Sequence, residues 1–113
     1  MSDCSASAAE AVRALNDALR RAFIGGVVVI TAGVEAPPVE RRESILKKVS
    51  EFEAFGVGND PYGEHDFGAI EESGARFFWK IDAYDCALRF GSPDARAPAV
   101  TTRVLTIMRA EEY

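Results

Sequence analysis

Residues 65–82 limit the fold more than any other part of this 113-residue chain. Two extended-looking runs, 65–71 and 75–82, flank Ser73-Gly74, a pair suited to a tight hairpin turn. With those two residues as the loop, Glu72 faces Ala75, Glu71 faces Arg76, Ile70 faces Phe77, Gly68 faces Trp79 and Asp66 faces Ile81. Alternation then sends Phe77, Trp79 and Ile81 to one face together with Ile70. Gly68 leaves room for an indole to lie across its backbone. The other face receives the pairs Ala69 with Phe78, Phe67 with Lys80, and His65 with Asp82. A slip of one residue would set Ile70 against Arg76 and lose the Glu71–Arg76 pair, so this register is preferred.

Helices are expected around the hairpin. Ser7-Ala8-Ala9-Glu10 has the form of a capping box. After it Ala8, Val12, Leu15, Leu19 and Phe23 recur at helical spacing. Arg13, Asp17, Arg20 and Arg21 fall on another face, read as solvated, and Gly25-Gly26 ends the helix. Residues 27–31, a β-branched run, read as a buried strand. Ala36-Pro37-Pro38 punctuates the chain, with Pro38 suited to the first turn of a second helix over 39–55. Its apolar stripe is Ile45, Leu46, Val49 and Phe52, and Gly56 and Gly58 stop it. Residues 85–98 read as a loop. From Pro98 a last helix is expected, with Val100, Val104, Ile107 and Met108 as its stripe and Glu111-Glu112 fraying its C-terminal end.

The fold expected is one α+β domain over 1–113, in the order α-β-α-β-β-α, with residues 1–6 a flexible tail. A three-stranded sheet carries its helices on one face, and is mixed if 27–31 joins it by a parallel crossover.

Charge narrows the function. Thirteen basic against eighteen acidic residues give −5, and the pI is about 4.9. That balance speaks against general nucleic-acid binding and against an anionic membrane surface. The apolar stretch 22–30 is too short to span a bilayer. Met1 to Ala6 shows neither the basic nor the apolar region of a signal peptide, so a cytoplasmic, reduced protein is expected. Two cysteines, Cys4 and Cys86, and one histidine are too few for structural zinc without carboxylates. Cys86 reads as a small buried or loop thiol. The glycine pairs lack the lysine of a phosphate loop.

One polar cluster stands out. Between Asn59 and Asp85 seven acids meet only Arg76 and Lys80, and the sole histidine lies among them. Asp82 across from His65 would orient the imidazole, making these two the catalytic candidates. Asp60 and Glu64 lie on a loop broken by Pro61 and Gly63. Together Asp60, Glu64, His65 and Asp82 form a candidate metal set, suited to Mg²⁺, Mn²⁺ or Ca²⁺ rather than structural zinc. The plainer reading is turn chemistry in Asn59-Asp60-Pro61-Tyr62-Gly63 and a structural His–Asp pair, with no cofactor. Phe78, pointing away from Trp79, is either covered by another layer or part of an apolar patch for a partner.

The decapeptide Asn59-Asp60-Pro61-Tyr62-Gly63-Glu64-His65-Asp66-Phe67-Gly68 resembles a small bacterial family catalogued as domain of unknown function 3768. So do Phe78-Trp79-Lys80-Ile81-Asp82 with Tyr84-Asp85, and Arg103-Val104-Leu105-Thr106-Ile107-Met108 with Glu112-Tyr113. The family brings no assigned activity, cofactor or catalytic residue. Its members are often carried on mobile DNA, and Ala83 stands where a second tyrosine commonly precedes Tyr84. The first reading is therefore a non-enzymatic protein-binding domain using Asp60, Tyr62, Glu64, His65, Phe67, Phe78, Lys80, Asp82 and Tyr84. The resemblance implies a setting on mobile DNA and, as partner, a host nuclease or defence complex. The other readings are a small metal-dependent hydrolase using the His/carboxylate set and a self-associating accessory domain forming a homodimer.

Overall fold

The computed structural model describes residues 4–35 and 38–113, with side chains from Ala8 onward in the first helix. Its elements are α1 (Cys4–Ala22), β1 (Val27–Ile30), α2 (Ala32–Glu35), α3 (Val39–Ser50), β2 (Phe67–Glu72), β3 (Ala75–Tyr84) and β4 (Thr102–Arg109). The α+β class holds. The sheet has four strands rather than three, in the order β1-β4-β3-β2, and is mixed: β1 runs parallel to β4 while the other pairs are antiparallel.

The hairpin forms in the expected register, from Phe67 opposite Lys80 to Glu72 opposite Ala75. Its tip uses positive φ at both loop residues, 53° at Ser73 and 81° at Gly74, the twist that matches a right-handed strand pair. Trp79 lies across Gly68 so closely that a Cβ there would meet the indole Cε2 at 2.7 Å. Only glycine fits beneath that ring.

The expected last helix is a strand. Pro98–Val100 makes a single 3₁₀ turn, after which β4 pairs with β3 on one side and β1 on the other. Leu105 and Ile107 point into the core, whereas Val104, Thr106 and Met108 point to the opposite face. A central strand is apolar on both faces, so its apolar residues also fall at helical intervals and periodicity alone cannot separate the two. Thr101, Thr102, Val104, Thr106 and Ile107 are β-branched and tip the choice to strand. Glu111-Glu112 does not fray either. The Glu112 carboxylate accepts hydrogen bonds from the Thr31 hydroxyl (2.6 Å), the Gly33 amide (3.1 Å) and the Arg109 amide (2.7 Å), tying the chain end to the β1–α2 junction.

The three helices cover one face of the sheet. Leu19, Val34, Ile45 and Val49 pack there on Ile70, Phe77, Trp79, Ile81, Leu105 and Ile107. The second helix is shorter than expected and ends at Ser50, and Phe52 and Phe55 reach the core from the segment beyond it. β1 is an edge strand and not a buried one: Val27 and Val29 are 45% and 41% exposed on the helix-free face. α1 begins at Cys4, ahead of the capping box. Of the tail expected over 1–6, residues 1–3 lie outside the described residues, as do Ala36 and Pro37 of the proline punctuation. Pro38 takes the N-cap position of α3.

Candidate functional site

A polar stripe on α1 builds the histidine cluster. Arg13, Asn16, Asp17 and Arg20 recur at helical spacing and all reach across to the segments after α3. Arg13 donates to the Gly63 carbonyl (3.3 Å) and Asn16 to the Glu64 carbonyl (3.0 Å). Arg20, fully buried, donates to the carbonyls of Val49, Ser50 and Phe52 and to the Asp17 carboxylate. The loop these side chains hold is folded by its own polar groups. Asn59 bridges Gly56 and Ala54, and the Asp60 carboxylate accepts the His65 amide at 3.1 Å. That last bond and a φ of 54° at His65 turn the residue out of the strand direction just before β2.

The turn decides where the imidazole goes. Its Nδ1 lies 2.9 Å from Asp17 Oδ1 and its Nε2 3.6 Å from Asp60 Oδ2, and the ring stacks on Phe55 at 3.7 Å with planes 3° apart. Asp82, expected opposite His65, instead pairs with Lys80 at 3.0 Å. Strand alternation stops at Asp66, so the rule that placed His65 beside Asp82 no longer applies one residue earlier. His65 therefore lies on the helix side of the sheet, apart from Phe67, Phe78 and Lys80. Glu64 is held by its backbone, and Tyr62 is 79% exposed. Of the candidate metal set only Asp60 and His65 meet side chain to side chain while Asp82 lies on the other face, and among the described residues no group of three or more His, Cys, Asp or Glu side chains is placed to hold a metal.

The helix-free face is different in kind. Phe67 and Phe78 lie side by side, ring centres 5.3 Å apart, and Tyr113 meets both edge-on at 6.0 and 5.5 Å. The Arg76 guanidinium lies over Phe78, 5.5 Å from the ring centre. Beside them a concavity of about 330 Å³ is lined by Thr31, Lys80, Thr106, Met108, Glu112 and Tyr113. Val27 and Val29 extend the apolar surface to the sheet edge. Phe78 is thus half-covered by the chain's own end and half open. Tyr84, at the end of β3, bridges to Gly91 across a loop on which Cys86 is an exposed thiol.

The family model for proteins of unknown function DUF3768 matches residues 30–112. The chain belongs to this family. No curated protein and no solved structure matches it. The DUF3768 segment contains Phe55, Asp60, His65 and the whole open face except Val27, Val29 and Tyr113. The α1 residues that hold His65 precede the segment.

Asn16, Asp17, Arg20 and Arg103 belong to this site although the sequence reading assigned them no role in it, and Arg20, read as solvated, is fully buried. Arg103 is buried on β4, and its Nε donates to Asn16 Oδ1 at 2.9 Å. Spacing of 13, 16, 17 and 20 was the available signal, but a solvated helix face has the same spacing.

The carboxylates respond to this packing in opposite ways. Burial would raise the pKa of Asp17, but hydrogen bonds from His65 and Arg20 and their charges outweigh it and hold the carboxyl below its usual 3.8. Glu64 and Asp66 are raised, chiefly by burial and then by neighbouring acids. A depressed carboxyl stabilises the fold above its unfolded pKa, and that contribution disappears as pH falls through the folded value. Raised carboxyls act in the other sense, opposing the fold at neutral pH and ceasing to do so once protonated. Asp17→Asn is therefore expected to be less stable than the parent at pH 6, with the gap closing as pH drops below about 3.8. Urea denaturation of both chains at stepped pH measures this; a gap that does not change with pH would contradict it.

Proposed function

We propose that this DUF3768 chain is a non-enzymatic protein-binding module that docks its helix-free sheet face on a partner protein. One observation carries the reading: the helix-free face leaves Val27, Val29 and Tyr113 exposed beside the half-buried Phe67 and Phe78, whereas the histidine cluster is spent on holding the fold. Asp17 is bonded to both Arg20 and His65, and Asp60 to the His65 amide. The Lys80–Asp82 pair lies within this face, Lys80 standing between Phe67 and Thr106 in the row that ends at Val29, and such a mixture of apolar and charged groups is the make-up of a non-obligate interface. The mobile-DNA setting implied by the family resemblance makes a host nuclease or defence complex the first partner to test. Mimicry of nucleic acid by the acidic surface has less support, since Glu72, Asp82, Asp94 and Glu112 each hold partners within the chain.

Phe78→Asp is expected to reduce capture of the partner at least about ten-fold, because a carboxylate at the centre of an apolar contact is left desolvated and unpaired. Glu43→Lys, on the exposed side of α3, serves as control and is expected to leave capture unchanged. Quantitative affinity capture from the native cell, with circular dichroism of each variant, reads the result. Undiminished capture by a folded Phe78→Asp chain would overturn the reading. Val27→Asp repeats the test should Phe78→Asp not fold.

A further inference from the structure

The two edges of the sheet are treated differently. At the β2 edge, Lys48 from α3 donates to the Glu71 carbonyl at 2.7 Å and pairs with the Glu72 carboxylate at 3.0 Å. Charge and a covering side chain there block further pairing. Among the described residues, β1, the opposite edge, has neither. Val27-Val28-Val29-Ile30 contains no lysine, proline or bulge, and among the described residues it pairs only with β4.

The direction of its backbone groups follows from one hydrogen bond. The Thr31 amide donates to the Ile107 carbonyl at 3.1 Å, so Thr31 and Val29 face β4. By alternation, the N–H and C=O of Val28 and Ile30 point outward from the sheet. They form a short template with donors and acceptors in place.

Charge selects the occupant. Residues 22–34 hold no ionisable side chain, in a chain where 27% of residues are charged and the net charge is −5. Two acidic copies can meet at this strip without like charges facing one another. Ile24 and Phe23, 62% and 37% exposed, flank the strand and add apolar surface. The strand is also self-complementary under a two-fold axis. With Val29 opposite its own copy, Val28 of each chain faces Ile30 of the other, and every outward N–H and C=O of these residues finds a partner.

We propose that the free edge of β1 pairs antiparallel with β1 of a second copy of this chain, joining two four-stranded sheets into one. The pairing is isologous and closes on itself, so it stops at a dimer. It rests on the outward backbone groups of Val28 and Ile30 and does not depend on the open-face reading, although Val27 and Val29 of the same strand belong to that face.

Sedimentation of the purified chain across micromolar to millimolar concentration is expected to show monomer passing to dimer. The Val28 and Ile30 amides are expected to gain protection from hydrogen exchange in step with it. Val29→Lys sets two like charges against each other at the axis and is expected to weaken dimerisation about ten-fold or more. Val29→Thr, which keeps the β-branched shape, is expected to remain a dimer. Mixing Val29→Lys with Val29→Glu is expected to restore association as a heterodimer, an effect only a facing pair produces. A monomer at every concentration overturns the proposal and leaves the edge to an extended segment of another protein. A dimer whose Val28 and Ile30 amides stay unprotected overturns it equally, and that measurement needs no variant.

Discussion

Trp79→Ala is expected to cost about 3–5 kcal/mol, the range for removing a large buried aromatic and leaving a cavity. In a domain of this size that is a fall in Tm of roughly 12–25 °C, and a large share of a total stability of about 5–15 kcal/mol. Trp79 is the largest fully buried side chain, on the central antiparallel strand β3. Phe52 and Phe55 meet it edge-on at 5.6 and 6.1 Å, and Arg20 lies over it at 5.3 Å. Removing the indole strips packing from the hairpin, from the segment after α3 and from α1 at once. Collapse cannot refill the space, because Gly68 beneath the ring has no side chain to move in. Among the described residues, the indole Nε1 is buried without a hydrogen-bond partner. Such a group carries a desolvation penalty of about 1–3 kcal/mol. Trp79→Phe sheds that penalty along with some packing area and is expected to lose less than half as much stability as Trp79→Ala. Thermal and urea denaturation followed by far-ultraviolet circular dichroism checks both, since the chain has no other tryptophan to report by fluorescence. Equal losses in the two variants would show that ring volume is not what holds this centre.

The same residue shows why part of the fold could be read in advance. Between Phe67 and Tyr84 the information is local. A two-residue turn sets the register, alternation sets the faces, and Gly68 opposite Trp79 marks the close approach. β4 could not be read in this way, because its strand character depends on neighbours on both sides that lie far away in sequence. Once β3 and β1 flank it, both of its faces can be apolar, and a pattern that suggests one helical stripe is satisfied by two buried surfaces. The site divides along the same line. Phe78 on the face opposite Trp79 followed from alternation alone. The position of His65 did not, because one positive φ at the mouth of the hairpin carries its ring from the sheet surface to α1. Nothing within the hairpin indicates that Asp17, forty-eight residues earlier, supplies the carboxylate.

Arg20 is where that long-range contact can be tested most directly. Arg20→Ala is expected to destabilise the chain by about 3–5 kcal/mol, the usual cost of removing one partner from a buried charged network. The last carbonyls of a helix have no partner within it, and α3 directs those of Val49 and Ser50, with that of Phe52 beyond, at one guanidinium Nη1, at 3.1, 3.3 and 2.8 Å. The other nitrogen, Nη2, holds Asp17 Oδ1 at 3.0 Å, and Asp17 in turn holds His65. Loss of Arg20 therefore takes a donor from the Ser50 and Phe52 carbonyls, leaves Val49, among the described residues, only the Phe52 amide and Asp17 only His65, and loosens the imidazole from its seat on Phe55. Lysine is not a substitute. Its ammonium is a compact charge on a flexible stem and cannot present a planar fork to the helix end and the carboxylate together. Arg20→Lys is expected to recover less than half of the loss. A role confined to packing would leave Asp17 unaffected, so its titration separates the two accounts. In an Arg20 variant that still folds, the Asp17 carboxyl is expected to rise from its depressed value, read by NMR of the carboxyl carbon against pH. An unmoved Asp17 titration, with stability lost, would mean that Arg20 acts on α3 alone and that the histidine cluster stands without it.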